Sequence, residues 1–231
     1  AYIGLENMWR LAFVGWAVSA ILYWRLRHIS ARPAPKAAVM REVFWPKAKR
    51  IFPLLIALQL CRALLLGSIT TYLPLFMTDV VNAQFWLAAT ALTILEGAGV
   101  IGALTAGTTS DRFGRYRVLF VQLLISPLVL LSFIYIGNQW ALPLLLLLGF
   151  FGVSPTPVLL ALVQDKFADS RAFANGIFLA SNFLIRALGI WTVGFLADRI
   201  GLANAFLVSG VVALGSLVPL LILPRVDNQL A

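Results

Sequence analysis

The sequence predicts an all-α integral membrane protein with seven transmembrane helices, and three observations lead to that prediction. Apolar residues make up 61% of the chain, compared with about 45–50% in soluble domains. Charged residues contribute only 12%, which is too few for the polar shell of a soluble domain of this size. The apolar residues also form long runs. Seven spans of about 20 residues need roughly 140 residues, which a chain of 231 residues can supply.

The predicted spans are the apolar runs that charged residues bound. Val118–Ile136 and Leu202–Pro224 contain no charged residue, whereas the first run is confined between Arg10 and Arg25. A helix satisfies every backbone polar group within one open segment, so each span is predicted to be helical. In chain order, the predicted spans cover residues 9–24, 51–76, 85–108, 118–136, 141–164, 174–197 and 204–223.

One long polar connection separates the first span from the other six. Residues 28–50 are rich in Lys and Arg and contain an Ala- and Pro-rich stretch at 31–38, a composition typical of a semi-rigid linker. The sequence therefore predicts three regions. Residues 1–27 form a single transmembrane helix, residues 28–50 a basic cytoplasmic interdomain loop, and residues 51–231 a six-helix domain.

The basic residues concentrate on one side of the predicted helices. Of the 18 Lys and Arg residues, eight lie in residues 25–50, three in 109–117, two in 165–173 and one at Arg225. Fourteen of them therefore occupy alternate loops or the tail. Cytoplasmic loops of multi-pass proteins carry such an excess, which places the N-terminus outside and the C-terminus in the cytoplasm. Topology thus accounts for the net charge of +9, and no nucleic-acid partner is predicted.

A short motif occurs twice, each time directly after a span. The first copy runs Gly107–Arg115, and the second runs Gly194–Gly201 with the same spacing. The predicted topology puts the two copies on opposite faces of the membrane. Residues 51–136 and 141–223 are therefore predicted to be three-helix units of inverted topology.

The first copy, extended to Arg117, resembles the signature loop of the major facilitator superfamily. In that family the loop joins helices two and three and recurs between helices eight and nine. Tyr116 stands where the family usually has a basic residue. The resemblance implies helices six to twelve of a twelve-helix transporter, whose N-terminal half is then a missing partner. The implied fold is one leading helix plus a six-helix half made of two inverted three-helix repeats.

Two further stretches carry weaker resemblances. Residues 162–165, with Arg171 and residues 174–176, are similar to the family's loop between helices ten and eleven. Arg62 and the stretch Tyr72–Leu75 are similar to the fosmidomycin-resistance-like drug exporters.

The family's signature loop implies a gating role for the first motif copy. In the family this loop holds the cytoplasmic side closed while the cavity faces outward. A plain membrane-anchoring turn is the alternative interpretation, and for Asp198 and Arg199 of the second copy a structural turn is favoured. The residues predicted to form the gating motif are Gly107, Asp111, Arg112, Gly114 and Arg115.

Three ionisable residues, Arg62, Glu96 and Arg186, fall within predicted spans at similar depth. A charge at the bilayer midplane costs at least about 2.5–3.5 kcal/mol, so each is expected to face a cavity or a partner. Gln59 precedes Arg62 by one helical turn and shares its face. We predict that these four residues form the site for substrate and protons. The hypothesis is that Glu96 pairs with one of the two arginines and exchanges a proton, and a static salt bridge is the alternative.

These features predict a secondary active transporter that moves a small solute or drug by alternating access, coupled to protons. Two Arg residues and one Glu favour an anionic or phosphonate-like substrate. No lysine lies in a predicted span, which excludes a retinal protein, and a single His and a single Cys argue against an enzyme, a metal site or a cofactor. The predicted location is the bacterial inner membrane. An inactive structural half and a receptor-like seven-helix protein are the alternatives.

Overall fold

The computed structural model describes residues 10–27 and 44–223. Every regular element in these two ranges is helical. A π-helical segment covers Ser68–Tyr72, and a 3-10 turn covers Ala168–Ser170. Most of the predicted loop 28–50 lies outside the described residues. The α-helices are α1 (Arg10–Leu26), α2 (Trp45–Gly67), α3 (Leu73–Asp79), α4 (Phe85–Phe113), α5 (Arg115–Val153, kinked at Trp140), α6 (Pro155–Lys166), α7 (Arg171–Ile200), α8 (Leu202–Leu214) and α9 (Leu217–Ile222).

The chain divides into two compact units, Ala1–Ala37 and Ala38–Ala231. The described part of the first unit is helix α1, which has 17 residues and is therefore about 26 Å long at roughly 1.5 Å per residue. It coincides with the predicted leading helix. Its aromatic side chains, including Trp16 and Trp24, are exposed. Exposed aromatic side chains are expected of an apolar helix that packs against lipid or another helix.

The second unit contains six helices that are long and apolar enough to cross a membrane. Each predicted span from 51–76 onward lies within one of them, except that the last predicted span ends one residue beyond Ile222. The prediction of a multi-pass helical fold is therefore confirmed. The first of the six begins at Trp45, which makes the last six residues of the predicted loop helical. We name these spans M1 (Trp45–Asp79), M2 (Phe85–Phe113), M3 (Arg115–Gly137), M4 (Gln139–Lys166), M5 (Ala168–Ile200) and M6 (Leu202–Ile222).

Two clusters of buried side chains form the core of the second unit. One gathers Phe44, Phe52 and Phe167 beside leucines of M3, M4 and M6. The other stacks Phe76 of M1 on Phe206 of M6 with ring centroids 4.1 Å apart. The aromatic rings therefore tie helices from the two predicted repeats to each other.

Glycines allow the closest helix contacts, and these contacts follow the sequence repeat. An offset of 87 residues places Asp111 on Asp198 and also places Gly102 on Gly189. A Cβ at Gly102 of M2 would collide with the carbonyl oxygen of Phe150 in M4. A Cβ at Gly189 of M5 would lie 2.6 Å from the carbonyl oxygen of Ala63 in M1, and the same offset relates Ala63 to Phe150. The first helix of each repeat thus packs on the second helix of the other, as inverted repeats related by a two-fold axis require.

The two motif copies also adopt the same turn. Gly114 separates M2 from M3 with φ 90°, and Gly201 separates M5 from M6 with φ 84°. A positive φ of this kind is disfavoured for residues that carry a Cβ. Each glycine closes the preceding helix through its N–H, to Ser110 and Ala197 respectively. The spacing seen in the sequence therefore corresponds to a repeated backbone geometry.

Candidate functional site

The ionisable residues predicted to lie at one depth are near the middle of their helices. Arg62 is the central residue of M1. Arg186 lies two residues from the centre of M5, and Glu96 lies three residues from the centre of M2. At about 1.5 Å per residue, these offsets amount to roughly 3 and 4.5 Å along the helix axes.

Arg62 is 2% exposed and reaches from M1 to M4. Its Nη2 donates to the carbonyl oxygen of Gly152 at 2.8 Å. Nη1 and Nη2 both lie 3.2 Å from Oγ1 of Thr156. These charge-assisted bonds hold a buried cation that forms no ion pair with a carboxylate of the described residues.

The bonds from Arg62 converge on a break in M4. Helix α5 ends at Val153 and α6 begins at Pro155. Pro155 and Pro157 have no N–H to give to the preceding turn, and Arg62 supplies a donor to that turn. On the other side, Nε2 of Gln122 in M3 donates to Oγ of Ser154 at 2.9 Å. Side chains of both M1 and M3 therefore form hydrogen bonds to residues at the break.

Arg186 contacts the π-helical segment of M1. Its Nη2 donates to Oγ1 of Thr70 at 3.2 Å, and the hydroxyl of Tyr72 donates to the carbonyl oxygen of Ile190 at 3.3 Å. Pro74 lacks the N–H that a regular helix would give to the carbonyl of Thr70, which accounts for the widened turn. Segments of this kind are frequent at functional sites.

Glu96 does not form the predicted ion pair with Arg62 or Arg186. Its side chain is exposed on M2, and the ion pairs among the described residues do not include it. The helix face of Leu95, Ala98 and Gly102 is buried, so the adjacent Glu96 points away from the bundle. The pairing was wrong because the sequence gives the depth of a residue but not the rotation of its helix.

Gln59 is buried one turn from Arg62, at 4% exposure. Among the residues that the structure describes, neither its amide nitrogen nor its amide oxygen has a hydrogen-bond partner, and the same is true of Nε of Arg62. A buried polar group without a partner costs about 1–3 kcal/mol. Buried polar groups without partners are therefore expected at sites where a polar ligand supplies the missing hydrogen bonds.

M2 and M5 are the least covered helices of the bundle. In an apolar stretch of 18 residues, only 33% of M2 and 22% of M5 is buried inside the protein, compared with 44–56% in the other four spans. Glu96 lies on M2, and Arg186 lies on M5 and is partly buried. Each of these two weakly covered helices therefore carries an ionisable group near mid-span depth.

The first motif copy contains a small ionic network. Arg115 forms an ion pair with Asp111 at 3.5 Å and a second one with Asp165. Asp165 belongs to the other stretch that resembles the family, so Arg115 joins the M2–M3 turn to the end of M4. In the second copy, Leu202 occupies the position equivalent to Arg115, and Arg199 stacks over Phe195 with 4.9 Å to the ring centroid.

The sequence did not predict which polar side chains contact the two helix irregularities and Arg115. Thr156, Thr70 and Gln122 are the polar partners at the two helix irregularities, and Asp165 completes the ionic network. The prolines at 74, 155 and 157 indicate in the sequence where the helices are irregular. They mark where a helix has unpaired carbonyls, and polar side chains on neighbouring helices are then the expected partners.

Within residues 44–223, six helices long and apolar enough to cross a membrane form two three-helix repeats, which is the fold of an integral multi-pass membrane protein. The sequence model described as Major Facilitator Superfamily matches residues 1–190. The chain belongs to this superfamily.

Relatives in enteric bacteria are named as uncharacterised MFS-type transporters. YE1530 of Yersinia enterocolitica is 30% identical over 186 residues, covering 78% of this chain and 45% of that protein. A transporter of Yersinia pestis is 31% identical over 198 residues, covering 83% and 48% respectively. YcaD of Escherichia coli is 32% identical over 130 residues, covering 54% and 32%. The chain therefore spans about half the length of the curated relatives it matches.

Proposed function

We propose that this chain is the C-terminal half of a secondary active transporter that moves a small anionic solute or drug by alternating access, coupled to protons. One observation carries the proposal. The two least covered helices hold Glu96 and Arg186 near mid-span. A charge facing hydrocarbon at that depth costs at least about 2.5–3.5 kcal/mol. The open face of M2 and M5 is therefore the wall of a polar cavity, and the N-terminal half is the opposite wall.

The proposed substrate and proton site consists of Gln59, Arg62, Glu96 and Arg186. Arg62 and Gln59 supply a buried guanidinium and an unpartnered amide, which suit a phosphonate or carboxylate group. Glu96 stands alone on the cavity wall, so it binds and releases a proton without breaking a salt bridge. The resemblance to the fosmidomycin-resistance-like exporters supports the substrate class.

The proposed gate is the M2–M3 turn. Gly107, Gly114 and the charged residues Asp111, Arg112 and Arg115 form the turn, and Arg115 connects it to M4 through Asp165. In the proposed orientation, with the N-terminus outside and the C-terminus in the cytoplasm of a bacterial inner membrane, this turn is cytoplasmic. It then closes the cytoplasmic side while the cavity faces outward.

The experiment uses the complete transporter, with its N-terminal half, in proteoliposomes. Fosmidomycin serves as the phosphonate probe, and its movement is followed with and without a pH gradient. We expect the wild-type protein to accumulate fosmidomycin when the gradient is applied. Glu96→Gln removes the proton carrier, so gradient-driven accumulation falls to the level of protein-free liposomes while exchange at equal pH continues.

Asp198→Asn is the matched control, because it neutralises an exposed carboxylate at the end of M5. It is expected to retain gradient-driven accumulation. Wild-type accumulation by Glu96→Gln would eliminate Glu96 as the proton carrier. Absence of any fosmidomycin movement in the wild-type protein would contradict the proposed substrate class.

A further inference from the structure

An open groove of about 1000 Å³ lies beside the M2–M3 turn. Its walls are the turn itself, the start of M3 and the ends of M4 and M6. It is separate from the mid-span residues described above, since it begins at the ends of the helices.

The lining of the groove changes from basic to apolar along M3. Arg112, Arg115 and Arg117 line the end at the turn together with Asp111 and Asp165, and Val121 lines it one helical turn further along. Val121 is 46% exposed, and Leu221 on the facing end of M6 is 65% exposed. Four residues of helix separate Arg117 from Val121, which is about 6 Å. A phospholipid at the membrane surface has the same order, with a polar headgroup followed by apolar acyl chains.

The three arginines that line the groove differ in whether they form ion pairs. Arg115 is engaged by Asp111 and Asp165. Arg112 and Arg117 are exposed, and within the described ranges neither takes part in a hydrogen bond or an ion pair. Two guanidinium groups are therefore left to bind an anion. Arg matches the geometry of phosphate with paired N–H donors.

We propose that this groove binds an anionic phospholipid. The lipid phosphate lies against Arg112 and Arg117, and one acyl chain follows Val121 and Leu221. A soluble phosphate satisfies only the basic end of the groove, whereas the exposed apolar side chains need a hydrocarbon partner. Basic pockets between membrane helices are known to recognise anionic lipid headgroups.

The test is native mass spectrometry of the full chain purified in detergent, with phosphatidylglycerol and phosphatidylcholine that carry the same acyl chains. An arginine near an anionic lipid surface contributes about 1 kcal/mol, which is about fivefold in affinity. We therefore expect phosphatidylglycerol to bind more tightly than phosphatidylcholine. Arg117→Gln is expected to lower that preference about fivefold, and the double variant Arg112→Gln with Arg117→Gln is expected to abolish it.

Arg199→Gln is the matched control, because it removes an exposed arginine from the equivalent turn between M5 and M6. It should leave lipid binding unchanged, and a melting curve for each variant checks that the fold is kept. Equal binding of the two lipids by the wild-type protein would overturn the proposal, as would full preference in the double variant. Displacement of the lipid by glycerol phosphate alone would show a site for a soluble anion. Loss of the bound lipid when the N-terminal half is present would show a contact surface between halves.

Discussion

The guanidinium of Arg62 lies in the middle of M1 and meets acceptors of M4, the carbonyl of Gly152 and the hydroxyl of Thr156. Proline lacks a backbone N–H for the turn that precedes it in M4, and the arginine donates to the carbonyl of Gly152 within that turn. The cost of burying the cation is thus partly offset by carbonyl and hydroxyl groups that the helix break makes available. The same side chain stands next to the unpartnered amide of Gln59.

Thr156→Val tests whether Arg62 depends on this acceptor. The substitution keeps the shape of the side chain and removes the hydroxyl, so one buried donor loses a partner. We expect a loss of about 1–2 kcal/mol in the free energy of unfolding, measured by denaturant unfolding in detergent micelles.

Thr105→Val is the control for this substitution. Thr105 is exposed and its hydroxyl bonds to the carbonyl of Ile101 in its own helix, so its replacement should change stability little. If Thr156→Val unfolds at the same denaturant concentration as the control, the bond between Arg62 and Thr156 does not hold the break.

Helix contacts in the bundle depend on small residues at equivalent places in the two repeats. Gly102 allows M2 to approach M4, and Gly189 allows M5 to approach M1. Small residues at such interfaces let helices pack closely in lipid, where no hydrophobic force drives them together. The repeat therefore extends from the turn glycines to the packing of whole helices.

Gly189→Ala tests this contact. The added Cβ would lie 2.6 Å from the carbonyl oxygen of Ala63, so M5 and M1 must move apart. We expect a loss of about 1–3 kcal/mol in the free energy of unfolding, as for other overpacked cores. Thermal unfolding in detergent measures it.

Gly176→Ala on the same helix provides the comparison. A Cβ there has no atom within 4 Å, and alanine is the better helix former by about 0.5–1 kcal/mol. The control is expected to be as stable as the wild-type chain or slightly more stable. Equal melting temperatures for the two variants would show that M5 and M1 do not pack as closely as described.

The sequence was sufficient to predict the membrane-spanning helices, because apolar length and bounding charge determine where a chain can cross lipid. The repeated motif likewise predicted the two glycine turns. The partners of Arg62, Glu96 and Arg186 could not be predicted. A partner depends on helix rotation, and rotation is set by the packing of glycines against distant backbone and by the widened turn before Pro74.

At the scale of the whole molecule, the chain belongs to the Major Facilitator Superfamily and spans about half the length of the relatives it matches. Its least covered helices, M2 and M5, carry Glu96 and Arg186. We propose that the exposed side of these helices lines a water-filled cavity. On such a face the residues one turn away from Glu96, Thr93 and Val100, are also reached by water.

Cysteine accessibility in the complete transporter tests that claim most directly. Cys61, the single cysteine of this chain, and any cysteine of the N-terminal half are first replaced by serine. Cysteine is then placed at Thr93, at Val100 or at Val211. All three positions are exposed in this chain. Val211 lies on M6, which contains no charged residue and is therefore expected to face lipid. We predict that a membrane-impermeant maleimide labels the cysteines at 93 and 100 and does not label the one at 211. Labelling at 93 and 100 no faster than at 211 would contradict a cavity lined by M2.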